Sequence, residues 1–145
     1  MIDFDQVVEQ AVSEEVSDIH ISPHLSIYFR KHGKMHPIGP AIPGNEINRI
    51  LTIILNSTQL DTFHKFRQVD FMYQTKDGHR VRGNAYMSNL GPSLCLRIVR
   101  QDVRAFDTLG FPDFIKQKIL DLKDGLVLIV GPTGQGKSTT LASML

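Results

Sequence analysis

With 145 residues, 41% of them apolar and 21% charged, the chain has an ordinary globular composition, with room for one good core, or for one domain plus a piece of another. A net charge of +1 gives no general electrostatic attraction for nucleic acid or a membrane surface, and no nucleic-acid partner is expected. The single cysteine, Cys95, excludes an internal disulfide, and no apolar run approaches the ~20 residues of a membrane helix.

Asp3 and Asp5 stand where a secretion signal carries positive charge, so the chain reads as cytoplasmic. Phe4, Val7, Val8, Ala11 and Val12 recur at helical spacing and predict an amphipathic helix over 4–15. SDIHIS (17–22) and SIYFR (26–30) alternate as strands do, and HGK (32–34) turns the chain into a short third strand around 35–38. Pro43, Gly44 and Asn45 open a second helix, with Asn45 as its expected cap and Ile47, Ile50, Leu51, Ile54 and Leu55 along one side. A shorter helical piece follows over 58–66.

Next comes a β region. VDFMYQT (69–75), the Asp77-Gly78 turn and HRVRGNAYM (79–87) predict a hairpin, and SLCLRIVR (93–100), after Gly91-Pro92, a further strand. Residues 101–110 are a polar connection without periodicity, and the domain boundary is expected there. A helix over 111–122 with Pro112 at its start, an all-apolar strand at 126–130, a glycine-rich loop and a last helix complete the chain. The first 100 residues thus read as an α+β domain with a largely antiparallel sheet. Residues 111–145 read as the opening of a parallel α/β domain.

Gly131-Pro132-Thr133-Gly134-Gln135-Gly136-Lys137-Ser138 fits G-x-x-x-x-G-K-[ST] without a gap. Glycines let successive backbone N–H groups turn inward around phosphate oxygens, and the helix starting near Lys137 adds its positive dipole end. Lys137 is expected to reach the terminal phosphates, Ser138 to place its hydroxyl on Mg²⁺, and Thr139 to bond the inner phosphate. This points to a site for a nucleoside triphosphate. The six histidines suggest no metal site, because the i,i+4 pairs His20/His24 and His32/His36 straddle strand or turn instead of a helix. Capping and packing roles are expected for Asp18 and Asp70, and a buried, inert thiol for Cys95.

VSDIHIS (16–22), RVRGNAY (80–86), LRIV (96–99), LGFP (109–112) and GLVLIVGPTGQGKSTTLASML (125–145) occur in the order and spacing of the secretion ATPases, the hexameric motors of type IV pili, type II secretion and conjugation. The chain most resembles the PilT-like retraction motors, which also begin directly with a small mixed domain and reach the glycine loop soon after. Gln135 stands where these motors often have serine, and Gly83 where a bulkier residue is usual.

The resemblance implies a PAS-like N-terminal domain (1–100), a linker (101–110) and the first strand, P-loop and helix of a RecA-like ATPase domain (111–145). It implies ATP and Mg²⁺ as cofactors, a homo-hexamer, and an inner-membrane platform protein as partner, with the motor peripheral to that membrane. Arg80, Arg82 and Arg97 match the family's arginines that reach the phosphates. Arg80 and Arg82, two apart in a strand, project from one face. Arg30 lies outside the matched motifs, and its replacement by alanine is expected to be near neutral for turnover of the full-length protein. The carboxylates that complete such an active site follow the glycine loop in the family, so the chain is expected to be a fragment of a longer ATPase and inactive alone. A PAS-like interaction module from a truncated reading frame, or an ATPase of a conjugation or type II secretion system, is the alternative.

Overall fold

The computed structural model describes residues 2–99, 106–132 and 135–144. The chain divides into two units, Met1–Gln101 and Asp102–Leu145.

The first unit opens with α1 (Phe4–Ser13), capped by the Asp3 carboxylate, which accepts the backbone N–H groups of Asp5 and Gln6. The helix stops two residues short of its predicted end, where Glu15 turns left-handed (φ 57°) and leads into β1 (Asp18–Ile21). β2 (Ile27–Lys31) and β3 (Lys34–Ile38) form a hairpin around His32-Gly33, both at positive φ as a tight two-residue turn demands.

α2 (Gly44–Ile54) buries Ile47, Ile50, Leu51 and Ile54, but Asn45 does not cap it. Pro43 holds that place with an extended backbone and no side-chain bond, so Asn45 already sits in the first turn. Glu46 supplies the local anchoring instead, accepting the Ile2 backbone N–H and pairing with Arg49. α3 (Ser57–Phe66) carries a full capping box, in which Asn56 and Gln59 each accept the other's backbone N–H.

β4 (Gln68–Gln74), β5 (Arg80–Ser88) and β6 (Gly91–Val99) follow as a meander. Gly91 and Pro92 belong to β6 itself, not to a turn before it, with Gly91 paired to Ser88. All pairings are antiparallel, and the sheet runs β3-β2-β1-β6-β5-β4.

One face of the sheet forms the core. Ile19, Ile21, Phe29, Val81, Leu94 and Leu96 are fully or almost fully buried there, in one cluster with Phe4 and Val8 of α1, Ile47 and Ile50 of α2 and Phe63 of α3. Alternation then sends the other set of side chains to the face away from the helices. Gly83 serves this packing directly: a Cβ there would stand 2.3 Å from Phe71 Cζ and 2.8 Å from Leu96 Cδ2. The glycine opposite Phe71 on β4 therefore lets the aromatic ring lie against the β5 backbone.

The second unit holds a short 3-10 turn (Phe106–Leu109), α4 (Asp113–Leu120) and α5 (Lys137–Met144). Phe106 stacks on Phe111 with ring centroids 5.3 Å apart. The strand expected at 126–130 is not formed. Those residues join no ladder, and Leu126, Leu128 and Val130 are exposed. A strand exists by its hydrogen bonds to a neighbour, and the described residues of this unit supply none.

Among the described residues no helix is long and apolar enough to cross a membrane. No cluster of three or more His, Cys, Asp or Glu side chains is placed to hold a metal ion, again among the described residues.

Candidate functional site

The sheet register assembles a charged row that no single segment contains. Arg30 on β2 stands opposite Asp18 on β1, Asp18 opposite Arg97 on β6, and Arg97 opposite Arg82 on β5. Directly opposed residues share a face, so the row crosses four strands on the side away from the helices. Arg80 lies on the same face, opposite Val99 and Gln74.

Asp18 is the hinge of this row. Its side chain is only 11% exposed, yet two guanidinium groups reach it: Arg97 Nε donates to Oδ1 at 3.0 Å, and Arg30 Nε lies 3.5 Å from Oδ2. The Ser17 hydroxyl donates to Oδ2 at 2.9 Å. Burial pushes the Asp18 carboxyl up, but the Ser17 and Arg97 hydrogen bonds and the charges of both arginines outweigh it, leaving the pKa below its ordinary value. Arg97 remains 74% exposed and Arg30 42% exposed, so both side chains stay open to solvent.

Arg82 and Arg97, like charges directly opposite, would repel on a plain sheet surface. Asp18 offsets one of them. A hollow of about 260 Å³ lies over this region, bordered by Asp18, Asp70, Arg82, Asn84, Cys95 and Arg97. Asp70 accepts a hydrogen bond from Asn84 across the β4–β5 ladder at 3.0 Å. Next to the charged row, His20 stands opposite Cys95. Burial, then Arg30, hold the His20 imidazole below its usual pKa, so it is neutral near pH 7, and its Nε2 is buried without a partner. Burial and the Asp18 charge push the Cys95 thiol up, which makes it a poor nucleophile.

In the second unit, Gly131, Pro132, Gln135 and Gly136 lead into α5, whose first residue is Lys137. Thr133 and Gly134 lie outside the described residues. Gly136 has φ +80°, a conformation that disfavours any side chain, and its α-carbon faces open space. Its carbonyl takes the first helical bond, from the Thr140 N–H at 2.9 Å. Lys137 Nζ donates to the Pro132 carbonyl at 2.6 Å, so the ammonium spans the loop. Ser138 and Thr139 are exposed. The donor set here, an ammonium, hydroxyls and the N–H groups of a helix start, fits a polyphosphate.

Two residues of the charged row were not among the expected site residues. Asp18, expected to cap or pack, binds two arginines, one of which is Arg30, a residue outside the matched motifs. The alternation of SDIHIS and SIYFR shows which residues face outward, but not which of them stand side by side.

The chain was compared with known proteins. The family model described as "Type II/IV secretion system protein" matches residues 1–145. The type IV pilus retraction ATPase PilT of Pseudomonas aeruginosa is 32% identical over 145 residues, which is 99% of this chain and 42% of that protein. The crystal structure of the pilus retraction motor PilT with bound ADP superposes with a TM-score of 0.85 at 26% identity, over 99% of this chain and 42% of that one. The Legionella pneumophila ATPase DotB superposes with a TM-score of 0.80 at 26% identity, over 97% and 40% of the two chains. The chain thus spans less than half the length of each of these relatives. The family match leaves no residue of the chain outside it, and the chain belongs to the type II/IV secretion system protein family.

Proposed function

We propose that the full-length protein is an ATP-hydrolysing motor that drives pilus retraction. It works as a cytoplasmic homo-hexamer on an inner-membrane platform protein. The observation that carries this reading is the sequence motif 131–138, whose Lys137 begins α5, in a chain 32% identical to a pilus retraction ATPase along its length. In this reading the six-stranded unit is PAS-like and the second unit begins a RecA-like domain.

The residues divide the work as follows. The backbone N–H groups of Gly131, Thr133, Gly134, Gln135 and Gly136 cradle phosphate oxygens beside Pro132, which has no N–H to give, and the N-terminus of α5 adds its dipole. Lys137 leaves the Pro132 carbonyl to pair with the terminal phosphates. Thr139 hydrogen-bonds the inner phosphate. Ser138 is the residue here that would hold Mg²⁺, which when bound with nucleotide draws charge off the phosphoryl oxygens. Arg82 and Arg97, with Arg80 beside them, act on phosphoryl charge that builds in the transition state, where an arginine fork is most effective.

The test is ATP binding and turnover by the full-length protein and by Lys137→Ala. Loss of both in the variant is expected, with twitching motility lost in cells that carry it. Wild-type turnover by Lys137→Ala overturns the reading.

A further inference from the structure

We propose that Asp18 is the positioning residue of Arg97. It grips the guanidinium by its Nε and leaves the two Nη groups as a preset fork for a phosphate. The proposal builds on the reading that Arg97 acts on nucleotide phosphates.

The geometry carries it in three steps. First, the contact is made through Nε: Arg97 Nε donates to Oδ1 at 3.0 Å, while the side chain as a whole stays 74% exposed. A guanidinium held at Nε still has the end-on pair of Nη donors to offer, and a carboxylate–arginine bond is directional. Second, the carboxylate cannot swing. It is largely buried, and its other oxygen is fixed by the Ser17 hydroxyl at 2.9 Å and by Arg30 at 3.5 Å. The Ser17 backbone N–H donates to the Arg30 carbonyl at 2.9 Å, which ties the bracket to the β1–β2 ladder. Third, Asp18 stands in the same cross-strand row as both arginines that the family resemblance marks as phosphate-reaching, Arg97 next to it and Arg82 one strand further.

An exposed arginine on a bare strand samples many rotamers. One gripped at Nε by a fixed carboxylate does not, and holding a catalytic group in place is where rate enhancement is gained. A carboxylate kept only for surface charge balance would not need to be buried or braced by a hydroxyl. Arg30 has the supporting part: it steadies Oδ2.

The experiment is a double-mutant cycle on ATP turnover by the full-length protein, with Asp18→Asn, Arg97→Ala and the pair. Asn keeps the volume and an acceptor and loses the charge. Asp18→Asn is expected to lower kcat roughly 10- to 100-fold with KM little changed, and to add nothing once Arg97 is alanine. Asp18→Glu, which keeps the charge but displaces the grip by one methylene, is expected to fall between wild type and Asp18→Asn. Thermal unfolding of each variant reports on folding separately, and if Asp18→Asn fails to fold the cycle is run with Asp18→Glu. Losses that multiply in the pair, or wild-type kcat in Asp18→Asn, overturn the proposal while leaving Arg97 its role. Wild-type kcat in Arg97→Ala overturns the underlying reading, and the proposal with it.

Discussion

Arg82 and Arg97 stand directly opposite each other on β5 and β6, and Arg97 alone of the two is bound to Asp18. Among the described residues no ion pair reaches Arg82. The two arginines are therefore unequal: one is braced by the sheet and one is free to move toward an anion.

Both nonetheless border the same hollow. Arg97→Ala and Arg82→Ala in the full-length protein are each expected to lower kcat at saturating ATP by roughly 10³-fold, with nucleotide affinity changed much less. Lys34→Ala, exposed at the β2–β3 hairpin, is the control with unchanged turnover. Wild-type kcat in both arginine variants would return them to a solvated strand surface.

The Asp18 carboxyl has its folded pKa below 3.8, its ordinary value. A lowered folded pKa means a contribution to stability that is complete above the unfolded value and disappears as pH falls through the folded one. Asp18→Asn is expected to cost about 1 kcal/mol at neutral pH, a modest figure because both arginines are well exposed to solvent. Below pH 3.8 the gap between variant and wild type is expected to close. Urea unfolding of both proteins along a pH series from neutral to acid measures it, and a gap that persists in acid removes the ion pair as its cause.

Gly83→Ala is expected to destabilise the first unit by about 1–3 kcal/mol, because the new methyl meets Phe71 and Leu96 at distances no packed core accepts. The companion variant Phe71→Leu is expected to recover part of this loss when combined with Gly83→Ala. Additive losses in the pair would show that the strain lies elsewhere.

A polypeptide limited to residues 1–145 is expected to bind nucleotide weakly and to turn none over, since it corresponds to 42% of the PilT chain and phosphoryl transfer depends on positioning by the whole motor. Amide exchange is expected to be slowest at the buried Ile50 and Leu51 of α2 and fast over 126–130, where no ladder protects the backbone. Turnover above a Lys137→Ala control would contradict the first half. Slower exchange at 126–130 than at 50–51 would contradict the second.

How much of this could be read from the sequence depended on whether local pattern or distant pairing decided each feature. The strands around Asp18, Ile27 and Arg80 broadly alternate, and α2 repeats its isoleucines at helical spacing; one-sided burial favours both patterns. Asn45 was the wrong cap because Pro43 already sets the entry backbone, whereas Asn56 and Gln59 show the capping-box spacing in plain view. The apolar run 126–130 looked like a strand because its composition is that of one. Composition gives the propensity, and only a neighbour gives the ladder. The bond between Asp18 and Arg97 was out of reach, because β1–β6 register depends on how two separate hairpins meet.

That meeting also orders the events of synthesis. Asp18 and Arg97 are 79 positions apart in the chain, and the β1–β6 pairing they bridge is central in the sheet. At roughly 5–20 residues per second, a ribosome spends on the order of 4–16 s between making the acid and making its base. Throughout that interval the β1–β2–β3 piece has an open edge at β1, with Ile19 and Ile21 uncovered and a row of unpaired backbone groups. Such an edge pairs readily with any strand that comes near. The nascent protein is thus most exposed to misassembly just before β6 arrives, and the salt bridge that marks the charged row is among the last contacts it makes.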